Sequence, residues 1–521
     1  MQQPACIRHT EFPGTSQLFG DLSYHFDRVA KFYPHDPHDP QSFQRAAAQI
    51  DYPAERRAAM VAALRAQNGD SHSLQQLAQP GTVAVVTGQQ VGLFTGPAYT
   101  IYKAMTAAHV ARQLTDQGLP AVAVFWLATE DHDFAEVNHA WVFGGTGEPT
   151  AVRVSENTVA KGPKTPPVGG IPLTNPPLIE LKAALAGLPF ADEVMSAVAD
   201  AYPPGATMGQ GFRALLKKIL GKLDLLYLDP LDPAIRKIGA PLIAQALRAA
   251  PELKARLIER NQELTAAGYH AQVHVDAKTS LFFLLEKGER ATLRLKDSEY
   301  AALADRAEQI SPNALLRPVW EDFMLPTVAY VGGPGELAYL AQSEVAYQLL
   351  LGRMPVAMPR SGFTILDARS TKLLARYRLP LQQAMTPIET LRERIAQTLI
   401  PESTQRSLAT AQAEITRQVN QLTAALEAFD PTLGKAVQKS GSKMLYQLEK
   451  IGHKTARETL RRDQRANAEA RYLGDMLYPH RHPQERFYSI LPFLAQHGLD
   501  LADRLYAAVE PMCPDHRVFT V

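Results

Sequence analysis

The segment from Gly81 to Asp133 constrains the fold more than any other. Gly81-Thr82-Val83-Ala84-Val85-Val86 is a β-branched apolar run of strand length. The turn Thr87–Pro97 (TGQQVGLFTGP) follows, then helical spacing over Ala98–Thr115, closed by Gly118 and Pro120. A second apolar run, Ala121–Leu127, leads into the polar cluster Ala128-Thr129-Glu130-Asp131-His132-Asp133. Strand, turn, helix, strand is the unit from which parallel sheets are built. Apolar runs without alternation suit strands covered on both faces. Further strands are expected at Leu225–Leu228, Gln272–Val275, Leu281–Leu285, Val328–Val331 and Val356–Met358, interleaved with helices such as Pro241–Ala249 and Glu336–Leu351. The expected fold is α/β, with a doubly wound parallel sheet assembled from separate parts of the chain.

The flanking regions differ in character. Up to about Pro80 the chain reads as mainly helical after an irregular lead, with helices at Gln41–Ile50 and Ala54–Gln67. In Pro34–Pro40 (PHDPHDP), two His and two Asp could suggest a metal site. The plainer reading is a solvated loop whose Asp residues cap the next helix. Two stretches look inserted: 140–207, which contains KGPKTPPVGGIPLTNPP, and 250–315. From Leu381 to Leu473, Leu408, Ile415, Val419, Leu422, Leu426, Phe429 and Leu433 recur mostly at threes and fours, and Val437, Met444, Leu448 and Ile451 resume the series. That is coiled-coil spacing. Asp430-Pro431 supplies an N-cap and a first helical residue, so two long helices should form an antiparallel hairpin turning near Phe429–Leu433. A lobe packed on itself and a dimer arm both fit. The domain plan is 1–139 (helical lead and first half of the core), 140–207 (insertion), 208–249 (core), 250–315 (second insertion), 316–380 (second half of the core), 381–475 (helical hairpin) and 476–521 (a segment packing on the core).

Composition narrows the function. Hydrophobic residues make up 46% and charged residues 21%, which excludes a disordered chain. With 54 basic against 53 acidic residues, no global field draws the protein to nucleic acid or to an anionic membrane. No run of about 18 apolar residues suggests a membrane span, and the first residues lack the apolar core of a signal peptide. Two cysteines, Cys6 and Cys513, rule out a disulfide framework or a cysteine-rich metal site and point to a reducing cytoplasm. Neither has the surroundings of a catalytic nucleophile.

In an open α/β sheet, ligands sit beyond the carboxyl ends of the strands. Three junctions in this sequence offer chemistry there. In the first, Gly88, Gly92 and Gly96 let backbone N–H groups approach a ligand, the helix start attracts an anion, and Thr87, Gln89, Gln90, Thr95 and Tyr99 add neutral hydrogen-bonding groups. A tight turn without a ligand explains the same glycines. In the second, Glu130, Asp131 and Asp133 repel one another unless a cation, an amine or nearby Arg and Lys offset them, so they could orient an amine or hold Mg²⁺. His132 could serve as general acid or base, and Asn138 follows the cluster. Helix capping and a structural histidine are the plainer alternatives. In the third, Arg317 precedes a strand running into Gly332, Gly333, Gly335 and Glu336, and Arg360 repeats that geometry as a partner for a carboxylate or phosphate. Glu336 could contact substrate or simply suit the helix dipole.

Five blocks of the chain resemble the BshC family of cysteine ligases of bacillithiol biosynthesis: Val85–Ala104, Phe125–His139, Ser311–Gln342, Pro359–Asp367 and Pro483–Ser489. They occur in family order at family-like spacing. The resemblance implies a Rossmann-like core with two connecting-peptide insertions and a helical coiled-coil domain that mediates dimerisation. It also implies the activity, joining L-cysteine to glucosaminyl malate in the cytoplasm, with the site at Thr87–Pro97 and Glu130–Asp133.

Amide formation from a carboxylate and an amine is uphill in water, so the cysteine carboxylate must be activated, most simply by ATP. The amine must then lose a proton and an oxyanion must be stabilised. The expected roles are a phosphate or carboxylate at Gly88–Gly96, an ammonium at the acidic cluster, His132 as proton acceptor, and Arg317 or Arg360 on the malate carboxylates. No tightly bound cofactor and no dedicated metal site are expected. A nucleotide-binding regulatory scaffold, and a nucleotidyltransferase acting on another small acid, are the rival readings.

Overall fold

A computed structural model of the chain describes residues 6–154 and 166–521, so residues 155–165 of the proline-rich insertion lie outside the described residues. The structure divides into two units. The first comprises the chain up to Ile365 together with Glu485–Phe519, and the second Leu366–Gln484 with Thr520–Val521.

The first unit is built on five parallel strands: β1 (Val83–Gln90), β2 (Ala121–Ala128), β3 (Leu226–Leu228), β4 (Thr327–Gly332) and β5 (Val356–Pro359). Their spatial order is β5-β4-β1-β2-β3. The chain therefore winds one way from β1 through β2 to β3 and the other way through β4 to β5. It leaves a crevice where the connections diverge between β1 and β4. This is the doubly wound parallel core that the apolar runs predict.

The strands are mainly apolar because both faces are covered, and β1 turns polar only toward its carboxyl end. Ala84, Val86, Val124 and Trp126 enter one core with Met60, Leu64 and Trp320, where Trp126 and Trp320 meet edge-on at 5.4 Å. Phe125 turns to the opposite face and meets Phe212 at 6.2 Å. Helix α1 (Tyr99–Asp116) packs on β1 and β2. Each large apolar side chain buried this way contributes about 1.5–3 kcal/mol before entropy is counted.

One strand expectation needs correction. Gln272–Val275 is not a strand. The backbone of Val273 is satisfied by one side chain instead: its N–H donates to Gln342 Oε1 at 2.9 Å, and its C=O accepts from Gln342 Nε2 at 2.8 Å. The strand expected at Leu281–Leu285, within the second inserted stretch, forms as Phe282–Glu286 and pairs antiparallel with Glu289–Thr292 and Ile310–Pro312 in a small separate sheet. At Pro34–Pro40, Asp39 Oδ1 accepts from the N–H of Gln41, the first residue of helix Gln41–Ala48, although the N-cap position itself is Pro40 and carries no side-chain cap. The helices α2 (Arg317–Met324) and α3 (Pro334–Leu350) flank β4 in sequence and bring their ends to the crevice.

The second unit contains the hairpin of α4 (Glu402–Glu427) and α5 (Pro431–Arg462). Asp430 caps α5, accepting from Thr432 N–H at 2.7 Å, with Pro431 in the first turn. The helices run antiparallel: the backbone of Gly434 lies against Glu427, Gly441 against Val419 and Gly452 against Leu408, descending in step. Glycine permits the closest of these approaches, since a Cβ at Gly441 would sit 2.4 Å from Val419 Cγ1. The seam is thus lined partly by small residues, while Leu422, Phe429, Leu433, Met444 and Ile451 of the predicted apolar series are exposed.

Gly441→Leu should force the hairpin apart and destabilise it by about 1–3 kcal/mol. Thermal unfolding followed by circular dichroism would show a lowered transition, and an unchanged melt would remove the close approach as a determinant of the hairpin.

Candidate active site

The carboxyl ends of β1, β2 and β4 open into a cavity of about 430 Å³. Gly88, Gln89 and Gln90 reach it from β1, Asp131 and His132 from the turn after β2, and Gly333, Gly335 and Glu336 from the start of α3. Tyr99, Arg317 and Arg360 also line it. The separate junctions read from the sequence therefore share one cavity.

A buried ammonium group ties together two of the lining segments. Lys103, one helical turn beyond Tyr99 on α1, has no exposed surface. Its Nζ donates to Gly88 C=O, to Gln89 Oε1 at 3.1 Å, and to Glu336 Oε1 and Oε2 at 2.8 and 2.7 Å. Burial pushes the Lys103 pKa below its ordinary value, with Glu336 opposing that shift. Glu336 also accepts from Gly333 N–H at 2.9 Å and Tyr330 OH at 3.2 Å. The carboxylate thus caps α3 and shapes the glycine turn.

At the turn after β2, Asp131 Oδ2 accepts from Gln90 Nε2 at 2.7 Å and Oδ1 from the backbone N–H of His132 at 2.7 Å. Gln90 Nε2 also donates to Glu136 at 3.0 Å. Burial alone would raise the pKa of Asp131. The Gln90 hydrogen bond and the guanidinium groups of Arg317 and Arg290 outweigh it and hold the carboxyl below its usual range. Burial and Arg290 together lower the pKa of His132, against Asp131 and Asp133. Arg290 Nη1 lies 2.9 Å from His132 Nδ1. A guanidinium only donates, so Nδ1 accepts and the neutral ring carries its proton on Nε2. Of the acid and base roles read for His132, this arrangement leaves its remaining nitrogen as a donor.

Several residues expected in the site do not line the cavity. Glu130 is buried behind it, accepting from Ser311 at 2.9 Å and facing Arg236 at 3.4 Å. Asp133 caps the short helix Phe134–Val137. Asn138 is buried beside His139, with Oδ1 3.1 Å from its Nδ1. Thr87 Oγ1 donates to Val331 C=O at 2.8 Å and ties β1 to β4, and Gly332 ends β4.

Gly92, Thr95 and Gly96 belong to a turn that closes on itself. Phe94, Thr95 and Gly96 have φ of 51°, 73° and 65°. The N–H groups of Gly92, Phe94, Gly96 and Ala98 donate to Gln90 C=O, Tyr202 OH, Leu93 C=O and Tyr488 C=O. These amides are occupied, so the turn does not fit the phosphate cradle that its glycines suggest. Arg360 is likewise committed, forming a bidentate pair with buried Glu485 at 2.9 and 2.5 Å. Burial alone would raise the pKa of Glu485, but Arg360, followed by His516, holds it at about 2.

The sequence reading missed Arg290, Glu321, Tyr330, Tyr339 and Arg486, all in the cavity wall. Arg290 also stacks over Phe283 at 3.8 Å. Burial pushes Glu321 well above the carboxylate range; Arg317 opposes the shift, and Asp322, Glu130 and Glu336 add to it. The guanidinium of Arg317 makes no hydrogen bond among the described residues, and its carboxylate neighbour Glu321 is 3.8 Å away. Arg486 is exposed and has no ion pair among the described residues.

Residues 5–361 match the family described as bacillithiol biosynthesis BshC, N-terminal Rossmann-like domain, and residues 363–521 match its C-terminal coiled-coil domain. The chain belongs to the BshC family. A protein of Solibacter usitatus named "Putative cysteine ligase BshC" is 51% identical, with 99% of each chain covered. Proteins of the same name from Koribacter versatilis and Symbiobacterium thermophilum are 34% and 32% identical, over 99% and 92% of this chain and 100% and 92% of theirs. Among the described residues, no helix is long and apolar enough to cross a membrane.

Removing one partner of a buried ion pair typically costs about 3–5 kcal/mol. Glu485→Gln should lower the stability of the first unit by that order at neutral pH. A depressed carboxylate pKa stabilises the fold above the unfolded value and loses that contribution as pH falls toward the folded one. Wild-type stability should therefore fall as pH drops from about 4.5 toward about 2, and the variant should lack this component. Urea titrations across that range would check both points.

Proposed function

We propose that this chain joins L-cysteine to glucosaminyl malate in the cytoplasm, as the amide-forming ligase of bacillithiol biosynthesis. Family membership supports the reaction class. The observation that carries the site assignment is the ionised Asp131, set between Gln90 and Arg290 in the wall of a cavity that also holds Arg317, whose guanidinium makes no hydrogen bond among the described residues, and the exposed Arg486.

The roles follow from charge and hydrogen-bonding capacity. Asp131 binds the ammonium of cysteine, and Gln90 keeps the carboxylate aimed. Arg317 and Arg486 take the malate carboxylates. Arg486 replaces Arg360 in this role because Glu485 already neutralises Arg360. His132, with Nδ1 occupied by Arg290, presents Nε2–H to the oxyanion that forms when the sugar amine attacks the activated carboxyl carbon. Activation by ATP belongs to the proposal on chemical grounds, and no step is assigned to the Gly92–Gly96 turn.

The assay combines purified protein, cysteine, glucosaminyl malate and ATP, with the thiol product read by mass spectrometry. Asp131→Asn and His132→Ala should each lower turnover by about 10²-fold. Arg486→Ala should raise KM for the sugar substrate by about 10–100-fold with a smaller effect on kcat. Folded variants with near-normal kinetics would remove those residues from the mechanism. Full turnover without nucleotide would remove the ATP step.

The exposed apolar residues of the hairpin favour a homodimer formed through it. Leu422, Met444 and Ile451 are about half exposed in the single chain, more than an isolated surface helix needs to leave uncovered. Light scattering should give a dimer for the wild type and a monomer for a Met444→Glu, Ile451→Glu variant. A dimer that survives both substitutions would place the interface elsewhere.

A further inference from the structure

The only two cysteines of the sequence come from opposite ends of the chain and meet in the first unit. Strand Cys6–Ile7 pairs antiparallel with strand His516–Thr520, with Cys6 opposite Arg517 and Ile7 opposite His516. The turn that precedes the second strand folds back, its Cys513 N–H donating to Glu510 C=O at 3.1 Å. That turn brings the Cys513 side chain into a hydrogen bond with the side chain of Cys6. Both are thiols, Cys6 exposed and Cys513 half-buried. The surroundings are fixed on each side. Tyr24 OH donates to Asp515 at 2.8 Å and itself accepts from His9 N–H at 2.8 Å, while Arg517 is held by Glu510 and Ala508 C=O.

We propose that Cys6 and Cys513 are a reversible disulfide site, oxidised by exchange with a low-molecular-weight disulfide. The thiolate of exposed Cys6 attacks one sulfur of the small disulfide. The S–S bond breaks, one small thiolate leaves, and a mixed disulfide forms on Cys6. The Cys513 thiolate then attacks the Cys6 sulfur and expels the second small thiol. Overall, two protein thiols lose two electrons and two protons, and one small disulfide becomes two small thiols. The second step needs a neighbouring thiol: the strand pairing brings the two chain ends together, and the turn before the second strand sets Cys513 against Cys6. The inference does not depend on the ligase reaction proposed above.

The charges around the pair set its speed. Burial, the Cys513 thiol and Asp515 all disfavour the Cys6 thiolate, and Arg517 favours it; the net effect pushes the thiol up. Exchange should therefore be slow at neutral pH and accelerate by about tenfold per pH unit up to the thiol pKa, following the thiolate fraction. The cross-link would clamp the strand that carries His516. The ring of His516 is hydrogen-bonded to Thr364 at 2.9 Å and lies near the Arg360–Glu485 pair behind the cavity.

The full-length reduced protein is incubated with oxidised glutathione and analysed as intact protein and as a non-reduced digest. The expected product has lost two hydrogens and yields one linked peptide pair containing Cys6 and Cys513. Dithiothreitol should reverse it, and the rate should rise with pH. Cys513→Ser should stop at a glutathione adduct on Cys6. The oxidised wild type should melt at a higher temperature than the reduced form, because the cross-link closes the chain into a loop, and the variant should show no such shift. Persistent glutathione adducts on the wild type, disulfides formed only between molecules, or no reaction at either cysteine would each overturn the proposal.

Discussion

The ammonium of Lys103 is the contact on which the cavity depends. It is fully buried and meets the end of β1, the side chain of Gln89 and the carboxylate of Glu336. Glu336 in turn holds the first N–H of the α3 turn and the hydroxyl of Tyr330 on β4. One charge pair therefore fixes both sides of the crevice where the sheet changes direction. A parallel sheet creates such a crevice by topology alone. Here the pair converts it into a rigid wall from which Gln89 and Gln90 project. Burying two charges is unfavourable unless their remaining hydrogen-bonding capacity is met, and these two are met almost entirely by the backbone and side chains that define the site.

Around that wall, charge is divided between committed and open groups. Arg360, Lys103 and Arg236 face carboxylates of the protein itself. Arg317 has Glu321 at 3.8 Å but makes no hydrogen bond through its guanidinium among the described residues, Arg486 has no ion pair among them, and Asp131 is kept ionised by neutral and cationic neighbours without being fully enclosed. The open groups have opposite signs, which suits a pair of small substrates carrying an ammonium and carboxylates.

What the sequence made legible was whatever depends on local pattern. β1, α1 and β2 were readable because few folds other than a covered parallel sheet accommodate uninterrupted apolar runs on either side of a helical period. The α4–α5 hairpin was readable because Asp430-Pro431 is a local start signal. Gln89, Gln90, Asp131, His132, Gly333 and Glu336 were readable as a group because polar residues cluster after apolar strands. Arg290 was not, since it belongs to a small antiparallel sheet whose position relative to β2 has no sequence signature. Lys103 offered a faint signal, a cation within an otherwise buried face of α1, one turn beyond Tyr99. Gly92 and Gly96 misled because glycine reads the same whether the amides around it are free or bonded. Gln272–Val275 misled because the Gln342 side chain imitates a neighbouring strand.

The left-handed run at Phe94–Gly96 has a bearing on how this part of the molecule is specified. Two of its three residues have side chains that disfavour that conformation. It is secured by Tyr202 OH, which accepts from Phe94 N–H, and by Ser489 Oγ, which donates to Phe94 C=O. Those two anchors come from segments more distant in sequence than the supersecondary motif that bears the bend. An excised fragment spanning only that motif would lack both restraints, and its connecting loop would relax toward ordinary dihedrals. The reactive face is thus a collective property of remote stretches of polypeptide.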